Sequence, residues 1–136
     1  MKIRNYTPRD YESVKALLKH CGLFDESYDK KEKFDNKKPS GSIIVAEEDS
    51  RIIGFVLFTY DCWDSSIYRL AVHSDFRNKG VATILLTEAE KRLKDFGADV
   101  VQLGFKSDEK NKKKFFEKMG YSGEWGPYTW TEKKLK

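Results

Sequence analysis

Six consecutive residues carry the strongest chemical suggestion in this chain: Arg77-Asn78-Lys79-Gly80-Val81-Ala82. They stand between a strand-like run, residues 67–72, and a run in which Val81, Leu85, Ala89, Leu93 and Phe96 recur at helical spacing. A helix begins with main-chain N–H groups that have no intrahelical acceptor, and its dipole makes that end positive. Gly80 has no Cβ, so an anion can approach the main chain, and Arg77 and Lys79 add positive charge. A strand feeding a helix through a basic, glycine-bearing turn suits a pyrophosphate, and with it a nucleotide-type cofactor. Six residues of this kind also describe an ordinary helix start with solvated charges; the flanking strand and helix tip the balance.

The elements that must position this turn follow from the rest of the pattern. Residues 2–6 alternate and predict a first strand. Thr7-Pro8-Arg9-Asp10 reads as a helix start, with Thr7 as N-cap, Pro8 at the first helical position and Asp10 bringing negative charge to the first turn. Val14, Leu17, Leu18 and Cys21 form the apolar stripe of that helix, and Gly22 stops it. Residues 24–40 alternate acids and lysines around Phe24, Tyr28 and Phe34, which predicts a solvated short helix or loop ended by Pro39-Ser40-Gly41. Its acids also suit a cationic substrate. Residues 42–47 and 52–61 predict a hairpin turning at Glu48-Asp49-Ser50-Arg51, with Gly54 marking a bulge or a close backbone contact. Residues 62–66 form a turn, 80–96 the strongest helix, and 100–105 a further strand. A charged stretch, 106–114, leads into a short helix stopped by Gly120, and the aromatic-rich 121–132 predicts a final hairpin. Strands and helices in this order imply an α/β layer with one central mixed sheet, in a single domain spanning 1–136.

Bulk properties narrow the function classes. With 136 residues, 39% hydrophobic and 35% charged, the chain can build a core beneath a heavily charged surface. A net charge of +4 favours anionic partners only weakly, and no aromatic-plus-basic motif points to nucleic acid. Cys21 and Cys62 are far apart and form no C-x-x-C, so two reduced, partly buried thiols are expected. Residues 1–6 lack the apolar stretch of a signal peptide, and no run approaches a membrane span of roughly 20 residues. A cytoplasmic location is expected. Two lone histidines, His20 and His73, make no ligand cluster, so no metal is expected.

At this point the order of elements resembles the GNAT N-acetyltransferase family. Leu70-Ala71-Val72-His73-Ser74-Asp75-Phe76, followed by the basic turn, looks like the family's fourth strand and its Arg/Gln-x-x-Gly-x-Gly/Ala loop. Phe115-Phe116-Glu117-Lys118-Met119-Gly120-Tyr121 is similar to its later aromatic motif. The resemblance implies a central, mostly antiparallel twisted sheet of six to seven strands flanked by about four helices, and acetyl-coenzyme A as donor. In such proteins the pyrophosphate rests on amides of the loop, here Arg77, Asn78, Lys79, Gly80, Val81 and Ala82. The pantetheine borrows main-chain groups of the fourth strand, here Leu70, Ala71 and Val72, and a main-chain N–H near Val72 would hold the developing oxyanion. An amine then attacks directly, and its proton must go to a carboxylate, a tyrosine or a chain of waters.

Four positions depart from the family. Phe116 stands where many members place a tyrosine that protonates the leaving thiolate; Tyr121 and Tyr128 are substitutes to consider. Glu109 stands where an asparagine usually contacts the pantetheine, with Lys112 at the small residue beyond it, so the loop is re-registered or that contact is lost. Ser66 stands where some relatives carry a catalytic glutamate; Tyr68 becomes the first candidate base, ahead of Asp61, Asp64, Glu47 and Glu48. The expected acceptor is a primary amine of a small molecule, peptide or protein, with the protein a monomer or homodimer. The alternative is a coenzyme-binding sensor or interaction module without turnover.

Overall fold

Runs rich in β-branched and aromatic residues form β2 (Ile43–Glu48), β3 (Arg51–Tyr60) and β4 (Ser65–Val72) in the computed structural model of the chain, which describes residues 1–106, 108–123 and 131–135. β1 (Lys2–Asn5) precedes them and β5 (Gln102–Leu103) follows. The helices are α1 (Tyr11–His20), α2 (Lys31–Asp35), α3 (Val81–Phe96) and α4 (Lys110–Lys118). The chain divides into two compact units, Met1–Gly104 and Phe105–Lys136; α4 belongs to the second.

Within the first unit one sheet runs in the order β1-β2-β3-β4-β5. Short connections join β2, β3 and β4 as antiparallel neighbours. The β2–β3 turn places Asp49 and Ser50 at φ 51° and 64°, the doubly left-handed geometry that matches strand twist. β4 to β5 is the one parallel pair, because α3 carries the chain back across the sheet.

Each face of the sheet has its own helix layer. Val14, Leu17, Leu18 and Phe34 of α1 and α2 bury against Ile43, Val45, Phe55 and Ala71. On the other face Val81, Leu85, Leu86, Ala89 and Leu93 of α3 are buried, as the spacing predicts. α3 reaches the sheet at Gly54. A Cβ there would stand 2.9 Å from Leu85 Cδ1 and 3.0 Å from Val81 Cγ1, so the predicted close contact exists and only glycine permits it. A bulge beside it leaves Ile53 unpaired between Ala46↔Gly54 and Glu47↔Ile52.

Several expectations need correction. The sheet has five strands among the described residues, not six to seven. The two extra strands were expected from a hairpin over 121–132, of which 124–130 lie outside the described residues. Residues 121–123 and 131–135 are not strand. Gly120 and Gly123 stand at φ 96° and 99°, so the chain around residues 121–123 turns rather than running extended. The strand expected over 100–105 shrinks to Gln102–Leu103, where β4 offers a partner. The lysine run of 110–114 is the first half of α4 rather than a loop before it. The charged 24–40 segment is not simply a solvated face, since Asp29 and Phe34 are buried. Cys62 is exposed rather than partly buried.

Candidate active site

The turn between β4 and α3 is built from two left-handed residues. Asn78 has φ 61° and Gly80 φ 83°. A Cβ on Gly80 would meet no atom within 4 Å, so open space lies over the start of α3. The first intrahelical bond is Ile84 N–H to Gly80 O at 3.1 Å. The N–H groups of Val81, Ala82 and Thr83 precede it and have no intrahelical acceptor. Together with the helix dipole, worth about 0.5 elementary charge, they form an anion cradle. Lys79 is exposed beside it, with Nζ 5.4 Å from the Phe76 ring centroid. Thr83, exposed in the same first turn, adds a hydroxyl that the sequence reading, stopping at Ala82, passed over.

Arg77 does not simply add charge to the turn. Its Nε donates to Val72 O at 3.0 Å, and its Nη2 lies 3.8 Å from Cys21 Sγ, which itself lies 3.6 Å from Val72 O. His73 stacks on His20 of α1 with ring centroids 4.0 Å apart, and its Nδ1 accepts from Asp75 N–H. The end of α1 and the exit of β4 therefore hold the turn from both sides.

β4 supplies the second part of the site. His73 N–H donates to Ile53 O at 2.8 Å, and Gly54 lies opposite Val72. In an antiparallel pair this register aims the N–H and C=O of Ala71 at β3 and those of Leu70 and Val72 away from it. On that outer side β5 pairs only with Ser66 and Ile67. Past Ile67 the pairing with β5 ends, and an extended ligand can pair with Leu70 and Val72 as a further strand would.

Tyr68 marks where the gap opens. It is the extra residue of a β4 bulge, between Leu57↔Arg69 and Phe58↔Ile67, and it is 60% exposed. The bulge reverses the facing of side chains that sequence alternation assumes. Ile67 lies opposite Phe58, whose ring packs on Phe96 of α3, whereas Arg69 turns to the face of α1 and α2. The other proposed bases have structural partners. Glu47 binds Arg4 at 2.7 Å and Glu48 faces the N-terminal amine at 3.7 Å. Asp61 accepts from the N–H groups of Asp64 and Trp63, which hold its carboxyl below the usual range, and Asp64 accepts from Ser66 Oγ.

The second unit carries the remaining candidates. Glu109 is the N-cap residue of α4, and its carboxylate pairs with Lys112 Nζ at 2.7 Å, which holds its pKa below the ordinary value. Phe116 is buried among Phe115, Phe105 and Tyr121, with ring centroids 5.3, 5.4 and 6.0 Å away. Tyr128 lies outside the described residues. Among the described residues no group of three or more His, Cys, Asp or Glu side chains could hold a metal ion, and no helix is long and apolar enough to cross a membrane.

Beside the free amides opening α3 and the open edge of β4 stands a direct comparison in sequence: the profile of the acetyltransferase (GNAT) family matches residues 8–121. The chain belongs to the GNAT acetyltransferase family. It is an acyltransferase with acetyl-coenzyme A as co-substrate. Its fold is also that of solved acetyltransferases. The PaiA N-acetyltransferase from Thermoplasma acidophilum, in complex with coenzyme A, is 22% identical over 90% of each chain, with a TM-score of 0.72. Diaminobutyrate acetyltransferase EctA from Paenibacillus lautus, in complex with L-2,4-diaminobutyric acid and coenzyme A, is 20% identical over 87% of this chain and 73% of its own, at 0.74. A ribosomal-protein-alanine N-acetyltransferase from Brucella melitensis is 17% identical over 97% and 100%, also at 0.74. At these identities the likeness establishes the GNAT fold.

Proposed function

We propose that this GNAT protein transfers an acetyl group from acetyl-coenzyme A to a primary amine of a small molecule, peptide or protein. The observation that carries the reading is an amide cradle at the start of α3 that follows, one short connection on, the open outer edge of β4. The diphosphate fits the N–H groups of Val81, Ala82 and Thr83, with Lys79 beside them and Gly80 keeping the approach open. The pantetheine amides fit the outward N–H and C=O of Leu70 and the outward N–H of Val72, Val72 O being engaged by Arg77. For Glu109, Lys112 and Phe116 the assignment rests on the family motif. The co-substrate supplies the activated acyl group as a thioester.

The chain's own groups account for the rest. The Val72 N–H, aimed into the gap, polarises the acyl carbonyl and meets negative charge developing on its oxygen. Holding donor and amine in line removes most of the entropic barrier. A primary amine titrates near 10.4 and arrives protonated, so a proton must leave before attack. Tyr68, exposed beside the outer edge of β4, is the group placed to take it, directly or through water, and it can do so only as the phenolate, which is returned to the phenol by that proton. A thiol titrates near 8.5, so the coenzyme can depart as a thiolate although Phe116 has no proton to offer.

Thiol release with a panel of amines tests the reading. Release above background with at least one amine is expected, and none, from protein shown to bind the donor, would remove it. The apolar surroundings of Phe116 favour one competing reading, a coenzyme-binding module without turnover. Phe116→Tyr separates the two. A functional enzyme that expels thiolate unaided should change rate by less than about threefold, whereas a gain of 10²-fold or more would show that the wild type lacks its acid.

A further inference from the structure

The most deeply placed acid of the charged 24–40 segment is Asp29, only 6% exposed. Its Oδ2 stands 2.7 Å from Arg69 Nη1 and accepts from Asp25 N–H at 2.7 Å, while its main-chain carbonyl accepts from the buried Tyr11 hydroxyl at 2.5 Å. Asp25 closes the same turn, accepting from Ser27 and carrying a carboxyl held below its usual range chiefly by that hydroxyl. The connection between α1 and α2 is thus fastened to the middle of β4 through one arginine.

Arg69 is the residue next to the bulge, and its guanidinium carbon lies 5.3 Å from the centroid of the Tyr68 ring. Its Nη1 is buried and, despite its nearness to Asp29, makes no aligned hydrogen bond. The group is held between a carboxylate and an aromatic face, not set for ideal pairing with the carboxylate. Buried ion pairs add little net stability, because desolvation offsets the attraction, and well-packed apolar side chains often serve as well. A pair at this place has open to it a role that apolar packing cannot fill. A cation resting against a tyrosine ring supplies one, since the attraction has direction and fixes the ring.

Resting on the acetyltransferase reading above, we propose that Arg69, anchored by Asp29, is a positioning residue that holds the Tyr68 ring at the mouth of the β4–β5 gap, where the amine must lose its proton. Arg69 touches neither reactant. It acts through Tyr68, and the α1–α2 connection takes part in acyl transfer through Asp29.

The test must separate positioning from stability. Replacing one partner alone leaves a buried charge and invites unfolding, so the informative protein is the double variant Asp29→Leu with Arg69→Met, which keeps the packing and removes both charges. In the full chain it should melt within a few degrees of wild type and bind acetyl-coenzyme A within about threefold. Its kcat with the best amine should fall at least tenfold, with little change in the KM for the donor. In a Tyr68→Ala background the same double replacement should lower kcat by less than about threefold, because the groups act as one unit. A double variant with wild-type kcat, or an undiminished loss in the Tyr68→Ala background, would overturn the positioning role while leaving the acetyltransferase reading intact. Wild-type protein that turns over no amine would overturn both.

Discussion

Gly80 shows how one atom can govern the site. At φ 83° a side chain is strained by roughly 1–2 kcal/mol, yet a Cβ would touch nothing within 4 Å. Gly80→Ala should therefore fold with a modest loss of stability. The methyl would intrude on the anion's approach, and an anion at a helix N-terminus is worth up to about 2 kcal/mol, so affinity for acetyl-coenzyme A should fall roughly tenfold. Calorimetric titration of the variant checks this; unchanged affinity would place the diphosphate elsewhere. The cradle was legible in sequence because its requirements are local: a basic turn, a glycine and an apolar-periodic helix. Arg69 and Asp29 were not legible. Asp29 is one of five acids between residues 25 and 35, and only the tertiary approach of β4 singles it out. Thr83 could have been read, since the free amides of a helix extend through its third residue.

Among the elements, the contact between α3 and β3 sets where the cradle sits relative to the strand edge. Gly54→Ala would force its methyl against Leu85 and Val81, and overpacking of this kind costs about 1–3 kcal/mol. The variant should unfold at lower denaturant concentration. If α3 shifts to relieve the clash, donor affinity should fall as well, and wild-type stability would show that the helix sits farther from the sheet than described. Strand and helix periodicity revealed β2, β3 and α3 within two residues at their ends, because each buries a face against a partner. Periodicity could not reveal the bulge at Tyr68, which adds one residue and reverses every facing argument beyond it. Nor did it foresee that residues 121–123 and 131–135, within the hairpin expected over 121–132, are not strand.

Across the whole molecule, the entry of the chain into the sheet depends on Arg4. It binds Asp10 through Nη1 and Nη2, at 2.8 and 2.9 Å, and Glu47 through Nη2 at 2.7 Å. The Arg4 hydrogen bond holds the Asp10 carboxyl below its ordinary value of 3.8, with further help from Thr7. A carboxyl depressed in the folded state adds stability above its unfolded pKa and loses that contribution as pH falls through the folded value. Asp10→Asn should therefore cost about 2 kcal/mol near pH 7. The gap between variant and wild type should close below pH 3.8 as Asp10 itself protonates. Urea titrations across pH check it, and a gap that persists in acid would contradict the ion-pair account. The central claim, that free amides opening α3 and the outer edge of β4 together hold acetyl-coenzyme A, is reached most directly by isothermal titration of the full chain with that thioester. Saturable one-to-one heat is predicted, weakened by Gly80→Ala. No heat at any accessible concentration, or binding indifferent to the loss of Gly80, would contradict it.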